Sequence, residues 1–156
     1  MSAHPIAIVP YDHDRHGDGP KRVVIESWKP YGYEFSEEDD ADIVRPDQAY
    51  PLGFVVAERD GRVVGCIGIS DEGGGLFKLN RLYVLPKARR QGLGGSLVDW
   101  VIGETVRHGG TRIILFSDIA FEDAHRFYRS KGFRCTRFRY APDAWQSREW
   151  GFELDL

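Results

Sequence analysis

The chain has 156 residues, enough for one domain with its own hydrophobic core. Its 21 lysines and arginines are outnumbered by 24 aspartates and glutamates, and the formal net charge of −3 provides no broad basic field for nucleic acid. The only apolar run near the N-terminus, Ile6 to Val9, is short and has no basic region before it, which predicts neither a secretory signal nor a membrane span. We therefore expect one cytoplasmic domain, residues 1–156, without nucleic-acid or membrane partners.

Two cysteines, Cys66 and Cys135, lie in strand-like stretches. Their spacing matches no metal-binding motif, so no metal site is predicted. Reduced thiols are the rule in cytoplasmic proteins, and we expect both side chains to be reduced and buried.

The first third of the chain predicts a strand and two helical segments around an aromatic loop. Ile6 to Val9 is a short strand that Pro10 ends, and a polar segment broken by glycines follows. Pro20 suits the first turn of a helix that continues to about Trp28. After the loop, Ser36 is followed by the acidic residues Glu37, Glu38 and Asp39, a pattern typical of a helix N-cap and first turn.

The middle of the chain predicts a β-meander. Gly53 to Arg59 and Arg62 to Ser70 are apolar and rich in strand formers, and Asp60-Gly61 between them is a strong signal for a tight hairpin. Three consecutive glycines form the next turn. Leu76 to Leu85 is then a third strand, which Pro86 ends because proline has no N–H to donate.

The segment from Arg89 to Ser96 has the features of an anion-binding loop. It contains two arginines and three glycines, and apolar residues recur at helical spacing from Leu93 onward, so a helix begins inside the loop. Glycines let a ligand approach the backbone, and the first N–H groups of a helix have no partner within it. Together with the helix dipole, these groups suit a phosphate or pyrophosphate. The alternative is a helix that begins in a glycine-rich turn, with its arginines on a solvated face.

Two common phosphate-binding motifs do not fit this loop. A P-loop requires a lysine after its second glycine, whereas Gly94 is followed by Gly95-Ser96. A dinucleotide fingerprint requires a third glycine where this chain has Leu97. What remains is Arg-x-x-Gly-x-Gly, Arg89 to Gly94, after a strand that ends in Val-x-Pro.

The segment after the glycine loop predicts a strand–helix–strand unit. Gly109-Gly110 ends the long helix, and Arg112 to Phe116 is a continuous apolar strand, which suggests burial on both faces. This order predicts a parallel crossover connection.

The last third predicts one more helix and two strands. Ala124, Phe127 and Tyr128 share one face of the helix, and Gly132 ends it. The strands are Phe133 to Tyr140 and Arg148 to Leu156, the second of which alternates polar and apolar residues.

Two partial motifs therefore occur in order along the chain. The first is Arg89-x-x-Gly92-x-Gly94, and the second is Ala124-x-x-x-Tyr128 followed by Gly132-Phe133. Together they resemble the signature of the GCN5-related N-acetyltransferase (GNAT) family, well over residues 62–133 and only by pattern in the N-terminal third. The resemblance implies an α/β (α+β) domain with a mixed, mostly antiparallel sheet of about seven strands and about four flanking helices. Strands 4 and 5, ending at Val84 and Phe116, would splay apart.

The resemblance implies acetyl-CoA as co-substrate. Its pantetheine arm would lie in the gap between the splayed strands and pair with backbone groups of Leu82 to Val84, and its pyrophosphate would rest on the N–H groups and arginines of the glycine loop. The residues predicted to bind it are Leu82, Tyr83, Val84, Arg89, Arg90, Gln91, Gly92, Leu93, Gly94, Gly95 and Ser96. One position departs from the family, which often has an asparagine in contact with the cofactor where this chain has Phe121. That hydrogen bond is either absent or supplied elsewhere.

The resemblance also implies transfer of the acetyl group to a primary amine by direct attack in a ternary complex. The backbone N–H of Val84 would stabilise charge on the thioester oxygen. Tyr128 would protonate the leaving thiolate as general acid, or it is a core tyrosine without a chemical role.

A base or a water chain must take the proton of the attacking amine. The family's usual acidic position on the central strand has no acid here, because Lys78, Asn80 and Arg81 occupy that stretch. Three other acids are candidate bases, although a solvated sheet face is the simpler interpretation for the second: Asp118, Glu149 and Glu34. His125 ranks lower because it points to another side of its helix from Tyr128.

The aromatic loop is predicted to border the acceptor pocket, since binding residues commonly lie on loops. Its residues are Trp28, Tyr31, Tyr33 and Phe35, and they would favour an amine with an apolar or aromatic body. The acids after Ser36 either cap a helix or help to attract the amine. The acceptor is expected to be a small-molecule or peptide amine, and a homodimer is left open.

Two other functions fit the same residues. The chain could be a non-catalytic, acyl-CoA-binding regulatory module of the same fold, which thiol release with acetyl-CoA and amines would distinguish from an enzyme. It could also be an unrelated phosphate- or nucleotide-binding domain, which competition between CoA and ATP would reveal.

Overall fold

A computed structural model describes residues 4–156. Within this range seven strands form one sheet in the order β1-β2-β3-β4-β5-β7-β6. The strands are β1 (Ala7–Pro10), β2 (Phe54–Arg59), β3 (Arg62–Gly73), β4 (Leu76–Val84), β5 (Arg112–Asp118), β6 (Arg134–Tyr140) and β7 (Arg148–Asp155). The helices are α1 (His13–His16), α2 (Gly19–Trp28), α3 (Ala41–Val44), α4 (Pro46–Ala49), α5 (Leu93–Arg107) and α6 (Glu122–Ser130).

The predicted mixed, mostly antiparallel sheet is confirmed. Only β4 and β5 pair in parallel, as the crossover through α5 requires. The described residues contain six helices where the sequence predicts about four, because α1, α3 and α4 are single turns of four residues each. Such turns are too short to produce a helical repeat of apolar residues.

The sheet is covered on both faces, and the alternation of side chains in β2 shows how. Val55 and Ala57 belong to the core cluster that also contains residues of α5 and α6. Phe54 and Val56 belong to a second cluster with residues of α2 and α3. Successive strand residues point to opposite faces, so one apolar run contributes to two cores.

The N-terminal third differs in detail from the prediction. Pro10 lies inside β1 rather than after it, which is tolerated because β1 is an edge strand. α1 lies where a polar loop is expected, and the Asp12 side chain caps it. The Ser36 hydroxyl accepts a hydrogen bond from the Asp39 N–H at 3.2 Å, as a cap would, but the next helix begins only at Ala41.

The two cysteines have different environments. Cys66 is fully buried in β3, as predicted, and burial raises the pKa of its thiol to about 12. Cys135 is exposed, so the prediction of burial is wrong for it. The reason is the position of β6 at the edge of the sheet, where its outer residues face solvent.

Arg81 attaches the N-terminal segment to the central strand. Its guanidinium donates to Asp42 at 3.0 and 2.8 Å and to Asp40 at 2.9 Å, and these side chains are largely buried. Burial alone would raise the pKa of Asp42, but the hydrogen bonds and charge of Arg81 outweigh it and hold the pKa below its ordinary value. Arg81 also has a left-handed backbone, with φ of 54°.

Replacing Arg81 with methionine should destabilise the protein by about 3 kcal/mol, because two buried carboxylates would lose their cation. Urea unfolding at pH 7 measures this loss. Since the folded pKa of Asp42 is lowered, the stabilisation is present at neutral pH and disappears as pH falls below about 4, so the wild type and the variant should converge in acid. Arg45→Met is the control: it breaks a more exposed pair with Asp47 and should leave the stability close to that of the wild type.

Candidate active site

A gap opens between β4 and β5. Their parallel pairing is limited to three positions, the last being Lys78 with Ile114, so the two strands diverge beyond them. The Leu85 N–H donates to the Val64 carbonyl of β3 at 2.9 Å. Because peptide groups alternate along a strand, the N–H of Val84 faces the opposite edge, towards the gap. The predicted splay is confirmed, and it leaves an unpaired strand edge.

The glycine loop lies at the carboxyl end of this edge. Gly92 and Arg90 have positive φ values of 77° and 61°, which turn the chain sharply before α5 begins at Leu93. Gly92 supplies the left-handed conformation without the steric cost of a side chain. The N–H groups of the first turn of α5 have no partners within the helix, and together with the helix dipole they suit an anion.

The side chains of the loop divide into two groups. Arg89 folds back, and its Nε donates to the Val84 carbonyl at 2.8 Å, which connects the loop to the gap. Arg90 lines the cleft beside the glycines. Gln91 instead accepts a hydrogen bond from Arg59, and Ser96 donates to the Gly92 carbonyl, so these two side chains are engaged within the fold.

Tyr128 brings a phenol from the core to the same cleft. Its ring packs against Phe133 and Phe152, with ring centroids 5.9 and 5.7 Å apart, and the residue is 6% exposed. Burial, with a smaller contribution from Tyr83, raises the pKa of the hydroxyl, so it stays protonated at neutral pH. No hydrogen bond from the described residues contributes to this pKa. A protonated phenol lining a cleft is a potential proton donor.

His125 on the same helix is turned away from this chemistry. Its Nε2 lies 3.1 Å from the Ser117 hydroxyl and 3.0 Å from the Asp118 carbonyl. Burial lowers its pKa, which favours the neutral ring. These contacts give His125 a structural role.

The three candidate bases all line the cleft but have different partners. Asp118, at the end of β5, accepts a hydrogen bond from the Tyr33 hydroxyl at 3.1 Å and one from a backbone N–H at 2.9 Å. Glu149 is paired with Arg139 at 2.9 Å. Glu34 is exposed at the mouth.

An aromatic cluster forms the mouth of the cleft. The rings of Tyr31 and Tyr33 stack with centroids 5.9 Å apart, and Tyr31 meets Phe121 edge-on at 4.8 Å. Phe121, which stands where the family often has asparagine, thus joins the aromatic mouth of the cleft. The sequence shows that Phe121 replaces the family's asparagine, but it does not show the contact with Tyr31, because the two residues are far apart along the chain.

The other two residues of the aromatic loop are placed differently. Trp28 lines the cleft and donates its indole N–H to the Tyr83 hydroxyl at 3.1 Å. Phe35 packs against the core cluster under α2 and lies beneath the Lys21 ammonium, away from the cleft.

The β4 edge, the glycine loop, Tyr128 and the aromatic cluster open into one cleft with a volume of about 2160 Å³. One further contributor was not apparent in the sequence: the loop between β6 and β7, which carries the exposed Trp145. It approaches the N-terminal segment, where the Ala144 N–H lies 3.5 Å from an Asp39 carboxylate oxygen. Within residues 4–156 there is no group of three or more His, Cys, Asp or Glu side chains suited to a metal ion, and no helix long and apolar enough to cross a bilayer.

The chain belongs to the Acetyltransferase (GNAT) family, whose sequence pattern it matches over residues 21–133. An uncharacterized N-acetyltransferase of Schizosaccharomyces pombe is 30% identical over 129 residues, which cover 79% of both chains. An aminoalkylphosphonate N-acetyltransferase of Salmonella typhimurium is 31% identical over 105 residues, 64% of this chain and 66% of that one.

Solved structures share the fold. A GNAT-family acetyltransferase from Staphylococcus aureus superposes with a TM-score of 0.85 at 19% identity, covering 97% of this chain and 99% of that one. The PaiA N-acetyltransferase from Thermoplasma acidophilum, solved in complex with coenzyme A, gives a TM-score of 0.74 at 16% identity, with 97% and 99% covered.

Proposed function

We propose that residues 1–156 form one N-acetyltransferase domain that transfers the acetyl group of acetyl-CoA to a primary amine by direct attack in a ternary complex. The observation that carries the proposal is the convergence of three elements on one cleft: the unpaired edge of β4, the glycine loop and the Tyr128 hydroxyl. The strand edge suits the amide groups of a pantetheine arm. The start of α5 suits a pyrophosphate.

The chemistry assigns a role to each polar group. The Val84 N–H, facing the gap, donates a hydrogen bond to the thioester oxygen as negative charge develops there. The Tyr128 phenol gives its proton to the departing thiolate, and its raised pKa keeps that proton available at neutral pH. The amine, once deprotonated, attacks the carbonyl carbon from the opposite side of the gap.

Among the candidate bases we favour Asp118. The Glu149 carboxylate is held by the Arg139 guanidinium at 2.9 Å, so it is already engaged with a cation of the protein. Asp118 has no guanidinium partner among the ion pairs of the described residues, and Tyr33 holds it at the cleft. An ammonium group arriving between the aromatic rings would meet this carboxylate first.

Thiol release tests the proposal against the alternative of a non-catalytic acyl-CoA-binding module. Purified protein with acetyl-CoA and a panel of small amines and peptides should release free CoA in amounts matching the acetylated amine. CoA binding without turnover on any acceptor would favour the regulatory module. Displacement of CoA by ATP at comparable concentrations would favour a nucleotide-binding domain instead.

The acceptor is proposed to be a small-molecule or peptide amine that passes the aromatic cluster. The S. typhimurium relative is named an aminoalkylphosphonate N-acetyltransferase, and the NatC complex, a structural neighbour, was solved with a bound peptide, so both kinds of acceptor are tested. A cytoplasmic location and a homodimer stay predictions, the second measurable by light scattering.

Alanine at Tyr31 or Tyr33 should raise the acceptor KM about tenfold, because each ring offers apolar contact worth roughly 1–2 kcal/mol. CoA affinity should not change, since the glycine loop is untouched. Both rings are about 40% exposed, so the melting temperature should stay near that of the wild type. Phe138→Ala, an exposed aromatic outside the cleft, is the control. A folded variant with an unaltered KM would remove the ring from the acceptor site.

A further inference from the structure

The floor of the cleft carries a lysine in an unusual position. Lys78 occupies the last paired register before β4 and β5 diverge. Its neighbours Phe77 and Leu79 belong to the core under α5, so Lys78 points to the opposite face, where the acceptor would enter. It is half-buried, lines the cleft, and its Nζ lies 5.8 Å from the centroid of the Phe116 ring.

Neighbouring arginines on this part of the molecule are paired with carboxylates. The pairs are Arg139 with Glu149, Arg137 with Glu153, and Arg81 with Asp40 and Asp42. Lys78 takes part in none of the ion pairs found among residues 4–156. These pairs engage the acids nearest to those arginines, and Lys78 remains a cation without an ion-pair partner among the described residues.

The phosphates of acetyl-CoA are not a suitable partner for Lys78. The glycine loop follows the far end of β4, and Val84 is six residues from Lys78, a distance of roughly 20 Å along a strand. An ammonium group in the acceptor would be repelled by Lys78 unless the same molecule also carried a negative charge. In a half-buried cleft, the repulsion of an ammonium group by Lys78 and its attraction of a negative charge are both stronger than in water.

We infer that the acceptor is an amine that also carries an anionic oxygen group, a carboxylate, phosphate or phosphonate, which the Lys78 ammonium binds. This inference rests on the proposed acetyl transfer and names the substrate class of that site. The anionic group lies at the closed end of the gap, on Lys78, and the amine points towards Asp118 and the open end. Lys78 is therefore the residue that selects the acceptor by charge.

Matched pairs of amines test the inference by calorimetry on protein saturated with CoA, so that no turnover is needed. One pair is β-alanine and β-alaninamide, and the other is 2-aminoethylphosphonate and its diethyl ester. The anionic member of at least one pair should bind roughly 10–100-fold more tightly, the range expected for a charge-assisted hydrogen bond. Comparing the two pairs shows whether carboxylates or phosphonates are preferred.

Substitutions of Lys78 provide a second test of the inference, in which the same pairs of amines are compared. Lys78→Met should abolish the preference, and Lys78→Arg should retain most of it because the charge is kept. Lys78→Gln serves if the methionine variant is unstable. Lys21→Met is the matched control, since Lys21 also lies over a ring, 5.0 Å from the Phe35 centroid, but outside the cleft.

Equal binding within both pairs, preference for the neutral members, or no measurable binding of either anion would overturn the inference. So would a preference that persists in Lys78→Met. Failure of the proposed function looks different: the anionic amines would bind in a Lys78-dependent way, yet no thiol would be released from acetyl-CoA with any of them.

Discussion

Replacing Tyr128 with phenylalanine is expected to lower kcat for acetyl transfer by roughly 10²–10⁴-fold, the span of one general acid–base group. The ring contacts with Phe133 and Phe152 stay intact, so folding and CoA affinity should change little. No partner of the hydroxyl among the described residues is left unsatisfied, which removes the usual cost of deleting a buried phenol. Steady-state kinetics and calorimetry with CoA measure the two effects separately.

A change of acyl donor sharpens this experiment. The fall in kcat of Tyr128→Phe should be smaller for a thioester whose thiol is more acidic, because a better leaving group needs less protonation. Tyr140→Phe is the control, since Tyr140 also lines the cleft but is 64% exposed. If kcat of Tyr128→Phe equals that of the wild type, the thiolate obtains its proton from water and Tyr128 is a packing residue.

Valine at Gly94 is expected to weaken CoA binding by roughly 100-fold, the equivalent of about two lost hydrogen bonds to phosphate. A Cβ at this position would already lie 3.4 Å from the Phe127 ring, so the valine methyls would press against α6 or cover the neighbouring N–H groups. Both consequences obstruct approach of a pyrophosphate to the backbone. Calorimetry with CoA measures the affinity, and thermal unfolding establishes that the variant is folded.

Gly103 provides the matched control for this substitution. It lies in the same helix and is exposed, and a Cβ there would meet no atom within 4 Å. Gly103→Val should therefore bind CoA like the wild type. Gly94→Ala, which fits the 3.4 Å spacing, should fold even if the valine variant does not and should show a smaller loss. Normal CoA affinity in folded Gly94→Val would contradict the assignment of the loop.

The glycine loop and its helix could be predicted because their signals are local. A strand, a proline, glycines and a helical repeat follow one another within a short segment, and each acts on its own backbone. Tyr128 was identifiable for a similar reason, since its spacing to Gly132-Phe133 lies within one helix and its C-terminal turn. In both cases the conformation depends on residues a few positions away.

The aromatic mouth of the cleft was predictable only in part. The aromatic loop was recognised as a candidate, and the structure brings Tyr31 and Tyr33 to the mouth but leaves Phe35 in the core. From the sequence, Phe121 was notable only because it stands where the GNAT family often has asparagine. Its contact with Tyr31 depends on how the N-terminal segment crosses the sheet, which Arg81 and its two aspartates help to hold.

The sequence by itself determined the order of the seven strands and of the three longer helices, the glycine loop and the position of Tyr128 on α6, because these follow from backbone propensities and side-chain periods within single elements. The tertiary structure alone decided which charges are neutralised and which face the cleft. Arg81, Arg139 and Lys78 are all basic residues of predicted strands, yet two of them form ion pairs with acids of other elements and the third forms none among the described residues. The pairing of charges depends on distances between separate elements, and only the folded chain defines those distances.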